Sequence, residues 1–343
     1  MIKSVKDNIK IGYALGGGAA RGLSHIGVLK VLDEYGISPD IIVGTSIGAI
    51  VGALYAGGYK ARDIERLVLG LDWKKLVRLV DVTFPQSGLL QGKRVVSLLK
   101  SILGGTTFFQ LKIPFACVAT DIINGEQVVL RDGSLIEAIR ASIAIPGIFT
   151  PVVIMGRYLV DGGLVNTVPV SVCREMGAEY VVGVNVVPEP SKIMCNPNKN
   201  QKYPVCELTD RDTGNEKELA TESRADKRFL RSYINDVENS IKTLLISHRL
   251  PEGTASIKST SSVKVNRASR LRTKPPRLFD ILSQTLTIAE YRIALENLKE
   301  ADLAINPKVE EIGFWQFNYA LQAIAAGEQA ARVALEGTVL PLQ

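Results

Sequence analysis

The chain has 343 residues, of which 46% are hydrophobic and 22% charged, with a net charge of +6. That balance fits a globular protein with a real core and excludes a disordered, collagen-like or disulfide-stapled chain. At roughly 100–200 residues per domain, the length allows two domains, or one large α/β domain with an insertion. The first apolar run, Ile11–Leu15, ends at Gly16-Gly17-Gly18 and reads as a buried strand. Leu23, Ile26, Val28, Leu29 and Leu32 follow at helical spacing, and Gly36 and Pro39 stop that helix. Residues 41–43 form a second apolar run closed by Gly44, and small apolar residues over 47–55 predict a buried helix. Continuous apolar strands alternating with helices point to a parallel α/β sheet.

Further helices are predicted over 63–69, 94–103 and 135–142, the last stopped near Pro146. Strands are expected over 115–120 and 126–130, joined by an Asn124-Gly125 hairpin turn. Residues 152–155 and 158–160 flank a Gly156-Arg157 turn, and 180–187 reads as a strand. Beyond Pro188 the composition changes. Leu230, Tyr233, Ile234, Val237, Ile241, Leu244 and Leu245 predict one amphipathic helix over 219–250. Helices over 279–298 and 315–335, with the apolar run Leu303–Ile305 between them, return the chain to its folded domain. The expected organisation is a folded domain over 10–190, a basic insertion over 191–278 and a return of the domain over 279–343.

The charge is uneven. Residues 191–278 hold 18 Lys/Arg against 10 Asp/Glu, leaving the rest of the chain at −2. Within them, 248–278 holds 8 Lys/Arg and one acid, Glu252, amid Ser and Thr. The plain reading is a solvated linker; the sharper one is a contact for an anionic surface. Nucleic acid is not expected, because no aromatics are interleaved for stacking. No apolar stretch approaches the roughly 18 residues that span a bilayer, and the start MIKSVKDNIK is too polar for a secretory signal. Cys117, Cys173, Cys195 and Cys206 lie far apart without metal-ligand spacing. A cytoplasmic chain with free thiols is expected, with peripheral attachment to the inner membrane face through 248–278.

Three features carry chemistry. Gly44-Thr45-Ser46-Ile47-Gly48 follows a strand and opens a helix. A nucleophilic serine on such a strained turn needs small neighbours, which Gly44 and Gly48 supply. Gly16-Gly17-Gly18-Ala19-Ala20-Arg21-Gly22 can converge backbone N–H groups on an anion, as a dinucleotide loop or as an oxyanion hole. The dinucleotide pattern fails, since its last glycine position is Arg21 and the acid expected after the second strand is Gly44. In a parallel sheet both turns lie at the same carboxyl edge, so the loop and Ser46 are neighbours. The base is less plain. The chain has two histidines: His25, on the first helix, and His248, in the insertion. Asp161-Gly162-Gly163, closing an apolar run with a tight turn, offers a carboxylate instead.

Taken together, GGGAARG, GTSIGA and IPG ahead of LVDGG resemble the patatin-like phospholipase family, its bacterial members above all. The likeness runs from about residue 10 to 190, and more loosely over 279–305. It implies an α/β/α sandwich of three layers around a central, mostly parallel sheet, here with a basic insertion. It implies a Ser-Asp dyad without a triad histidine: Ser46 as nucleophile and Asp161 as base, with Gly162 and Gly163 turning the aspartate. Gly17, Gly18 and Ala19 would supply oxyanion donors and Arg21 would steady the loop. Ala19 stands where glycine is also common. The implied activity is serine hydrolysis of fatty-acyl esters of phospholipids or related lipids through an acyl-enzyme, with no metal or other cofactor. The alternative is a catalytically weak adaptor or a nucleotide-binding protein on the same fold.

Overall fold

In the computed structural model, residues 9–71, 91–190 and 278–336 are described. The expected helix over 219–250, His248, Cys195, Cys206 and nearly all of the basic stretch lie outside them. Four strands run parallel to their neighbours about β1 (Ile11–Leu15): β2 (Ile41–Thr45), β7 (Tyr180–Val184), β8 (Leu303–Ile305) and β1 itself. β3 (Phe115–Asp121) extends this parallel set beside β2. Three antiparallel pairings complete a mixed, mostly parallel sheet: β3 with β4 (Gln127–Leu130), β3 with β6 (Arg157–Asp161), and β6 with β5 (Val152–Ile154).

Side chains alternate across a strand, and here they divide into two cores. Tyr13, Leu15, Ile42, Phe115, Cys117, Val182 and Val184 join one cluster, while Ala14, Ile41, Val43, Ala116, Val118 and Val181 join the other. The first face is covered by α1 (Ser24–Glu34), α2 (Ile47–Ala56), α3 (Ala61–Leu69), α4 (Lys93–Leu103), α5 (Leu135–Ser142) and α8 (Ala320–Glu336). The second is covered by α6 (Val170–Glu175) and α7 (Leu278–Leu298), through Val170, Val172, Cys173 and Ala294. Helices on both faces of a sheet buried on both sides are the three layers expected from the apolar strands.

Two local expectations shift. The hairpin turn between β5 and β6 falls on Met155-Gly156, both at positive φ (50° and 76°), and Arg157 already pairs with Ile154. A two-residue turn of this kind needs positive φ at both central positions, which fixes it one residue earlier than Gly156-Arg157. β7 stops at Val184, short of residue 187, because the Val187 amide turns to Asn185 Oδ1 (2.9 Å).

The register of β3 places the site. Cys117 pairs with Gly44 of β2 and Leu130 of β4, so β2 and β4 lie on opposite edges. Ala119 pairs with Val128 of β4 and Asp161 of β6, so β6 shares the edge that β2 vacates. Thr45 is opposite Val118 and Asp161 is opposite Ala119, the next residue along. Ser46, the residue after Thr45, therefore meets Asp161 where the two strands converge end to end.

Candidate active site

Ser46 sits between β2 and α2 at φ 54° and ψ −122°, a conformation L residues rarely adopt. Such positions cost on the order of 1–3 kcal/mol and persist only where surroundings enforce them. Here the enforcement is close packing. A Cβ on Gly44 would lie 2.5 Å from the Ala49 nitrogen, and one on Gly48 would lie 2.1 Å from the Leu15 carbonyl oxygen. Both flanking glycines are thus required for α2 to start against β1. The Ser46 amide donates to Ser142 Oγ (2.9 Å), and that hydroxyl donates to the Val118 carbonyl (2.6 Å). Ser142, at the end of α5, was not legible in the motif.

Ser46 Oγ donates to Asp161 Oδ2 at 2.6 Å. Asp161 Oδ1 accepts from the Gly163 amide at 2.8 Å, and Gly162 and Gly163 open a short 3-10 turn, Gly162–Leu164. The Thr120 hydroxyl binds the Asp161 carbonyl (2.8 Å), and the Asp161 amide binds the Ala144 carbonyl (3.0 Å). Ser46 is 6% exposed and Asp161 3%. Burial pushes the Asp161 carboxyl up to about 6, while the bonds from Ser46 and Gly163 oppose the rise. A carboxylate in that range is ionised at neutral pH, yet far more ready to take a proton than an exposed aspartate.

The glycine-rich loop lies against this pair: a Cβ on Gly17 would be 3.4 Å from Ser46 Cβ. Its amides are unequally free. Gly16 donates to the Val184 carbonyl (3.0 Å), Gly17 to Thr167 (3.0 Å) and Ala20 to Phe314 (3.1 Å). Among the described residues, no acceptor engages the Gly18 or Ala19 amide. Gly17 therefore leaves the expected donor set; its amide already holds the loop to the segment after Asp161. Gly18 (φ 155°) and Ala19 (φ 51°) both take positive φ, so Ala19 bears the strain a glycine would be spared. Two free amides also fall short of a phosphate cradle, which argues against the dinucleotide reading.

Arg21 is buried, and its Nε donates to the Ile312 carbonyl at 2.8 Å, tying the loop to the chain before α8. Burial lowers its guanidinium to about 10, against the field of Glu290. His25 is fully buried, and its Nε2 donates to the Gly16 carbonyl at 2.8 Å. Burial lowers it to about 4, so it is neutral and braces the loop from behind. An apolar cluster surrounds the loop: Ala19, Ile145, Ile148 and Phe314, with Phe149 and Leu286 packed on it. Neither this cluster nor Glu290, which α7 brings beside the aspartate, was foreseen. The signal for Glu290 was present, as a lone acid in the apolar stretch of α7 on the buried side marked by Thr287 and Ala294.

Residues 13–174 match the family model described as patatin-like phospholipase. That match takes in a little under half of the chain. Three relatives show the range of the likeness. An uncharacterised NTE family protein of Mycobacterium tuberculosis is 36% identical over 177 residues, covering 52% of this chain and 49% of that protein. The lysophospholipase NTE1 of Scheffersomyces stipitis is 33% identical over 189 residues, covering 53% and 12%. The patatin-like phospholipase domain-containing protein 6 of Homo sapiens is 36% identical over 183 residues, covering 51% and 13%. The match spans about half the length of the mycobacterial relative and a much smaller share of the other two. The family match ends before β7, while β7 and β8 complete the sheet and α7 packs beside the candidate site in this chain.

Proposed function

We propose that this chain is a lipid acyl hydrolase that cleaves fatty-acyl esters of phospholipids or related lipids through Ser46 and Asp161. The observation that carries the reading is the 2.6 Å bond from a strained, nearly buried Ser46 to a buried Asp161, in a chain whose only described histidine faces the loop carbonyl instead. The patatin-like family and a relative called a lysophospholipase support a lipid ester as substrate.

In this mechanism Asp161 takes the Ser46 proton as Oγ attacks the ester carbonyl. The new oxyanion is received by the Gly18 and Ala19 amides, with the N-terminus of α2 adding a favourable field. Asp161 returns the proton to the departing alcohol or lysolipid, leaving an acyl-Ser46 ester. A water then gives its proton to Asp161 and attacks that ester, and Asp161 returns the proton to the departing Ser46 Oγ as the fatty acid is released. The apolar cluster of Ala19, Ile145, Ile148 and Phe314 gives the acyl chain a wall to lie against. Among the described residues no helix is long and apolar enough to cross a membrane. The basic stretch 248–278 is the proposed contact with an anionic leaflet.

Labelling with a fluorophosphonate tests the assignment. Wild type is expected to label on Ser46 and to hydrolyse a soluble short-chain ester. Ser46→Ala should abolish labelling and lower turnover by roughly 10³ or more. Labelling that persists on another serine would sink the reading.

A further inference from the structure

The catalytic scheme uses one buried carboxylate, yet the site holds two. Glu290 lies on α7, 8% exposed, and its Oε1 would be 2.9 Å from a Cβ on Gly163. Asp161 Oδ1 would be 3.2 Å from the same point. Both carboxyls therefore border one small space, and a side chain at Gly163 would intrude on it. The backbone carbonyl of Glu290 accepts from Thr167 Oγ1 (3.1 Å), the residue whose own carbonyl holds the Gly17 amide. No described residue makes a hydrogen bond to the Glu290 carboxyl. Such a group has no packing reason to be acidic, since glutamine or methionine would fill the volume without burying a charge.

We propose that Glu290 is a positioning residue that acts through Asp161: the two carboxyls behave as one acid pair behind Ser46, carrying a single negative charge at neutral pH. This rests on the hydrolase reading for its kinetic consequence, though not for the pairing itself. Like charges this close cannot both ionise cheaply, so one partner keeps its proton. The partner that keeps it is Glu290. Burial and the field of Asp161 hold it up at about 8, with Arg21 opposing. Asp161, stabilised by two hydrogen bonds that Glu290 lacks, is the one left ionised.

The groups facing Glu290 are Asp161 at the end of β6 and Arg21 in the loop. On α6, which also packs against α7, Arg174 is engaged with Asp302. When Glu290 loses its proton at alkaline pH, it repels the charge on Asp161. That repulsion is relieved as Asp161 takes the Ser46 proton, so the base grows stronger.

Two measurements test this. The first follows carboxyl ¹³C shifts of labelled glutamate between pH 5 and 10, with Glu290 assigned by its loss in Glu290→Gln. Glu290 should titrate near 8 in wild type and move down by about one unit in Asp161→Asn, where the neighbouring charge is gone. An unmoved titration overturns the pairing, and this arm needs no turnover, so it is independent of whether the chain is a hydrolase. The second is kcat/KM on a soluble ester. Wild type should rise in two steps, near pH 6 and near pH 8, and Glu290→Gln in the lower step alone. A variant that is slower but keeps both steps would make Glu290 a packing residue and reject the proposal. Glu290→Met serves in the same way should the amide be poorly accepted.

Discussion

At the residue scale the candidate site is marked by buried acids. Asp161 has an ordinary value of 3.8 and stands at about 6 in the folded chain. The folded state therefore binds its proton more tightly than the unfolded chain. Stability from this source is fully present below pH 3.8 and is lost as pH rises through 6. Asp161→Asn should accordingly be more stable than wild type at pH 8, by up to about 3 kcal/mol, with the difference vanishing near pH 4. Thermal unfolding at the two pH values measures it. The same variant should lose ester hydrolysis almost entirely. His25→Gln, by contrast, keeps a donor for the Gly16 carbonyl. Its rate should stay within about tenfold of wild type, while its melting temperature falls, because a shaped, fully buried ring is lost.

At the element scale the loop and nucleophile are held by how helices approach one another. α1, which begins directly after the glycine-rich loop, packs on α8 with their backbones nearly touching. A Cβ on Gly27 would lie 1.9 Å from the Ile324 carbonyl oxygen, and one on Gly327 would lie 1.9 Å from that of Ser24. Neither helix can yield locally, since both neighbours are backbone. Gly27→Ala or Gly327→Ala should cost at least about 1–3 kcal/mol, read as a lower unfolding midpoint in urea. An unchanged midpoint would mean that the contact is looser than these distances require. Ser24, which lies at this crossing, also donates to the Arg21 carbonyl at 2.8 Å, so spreading the helices should disturb the glycine-rich loop as well.

At the scale of the whole molecule, the segment after the insertion belongs to the same compact unit as Ser46 and Asp161. β8 pairs with β7, α7 supplies Glu290, and Ile312 anchors Arg21. The candidate site residues Ser46, Asp161 and Glu290 all lie outside the basic stretch 248–278 in the sequence. Deleting 253–276 should therefore leave hydrolysis of a soluble short-chain ester intact while weakening binding to anionic vesicles. If only three cations engage at about 1 kcal/mol each, the loss is about two decades in affinity. Sedimentation with vesicles at low and high salt measures it; equal binding by both proteins would reject the membrane role.

How far the residues alone reach follows from how local each signal is. The strands, most helices and the two turns at the carboxyl edge are written in short patterns: continuous apolar runs, helical spacing, and glycines around Ser46. Asp161 came from a local turn motif together with the family likeness. These features depend on neighbours within a few positions, so sequence suffices for them. What tertiary structure decided lies at long separation. That β6 enters on the edge β2 leaves, bringing Asp161 to Ser46, is a matter of strand register across 115 residues. That the Gly17 amide is spent on Thr167, leaving Gly18 and Ala19 free, depends on a segment 150 residues away. That Glu290 stands beside Asp161 depends on α7 packing over the turn at Gly163. Local sequence sets propensity and pattern. Which amide finds an acceptor, and which two acids must share one charge, is set only when distant segments compete for the same buried space.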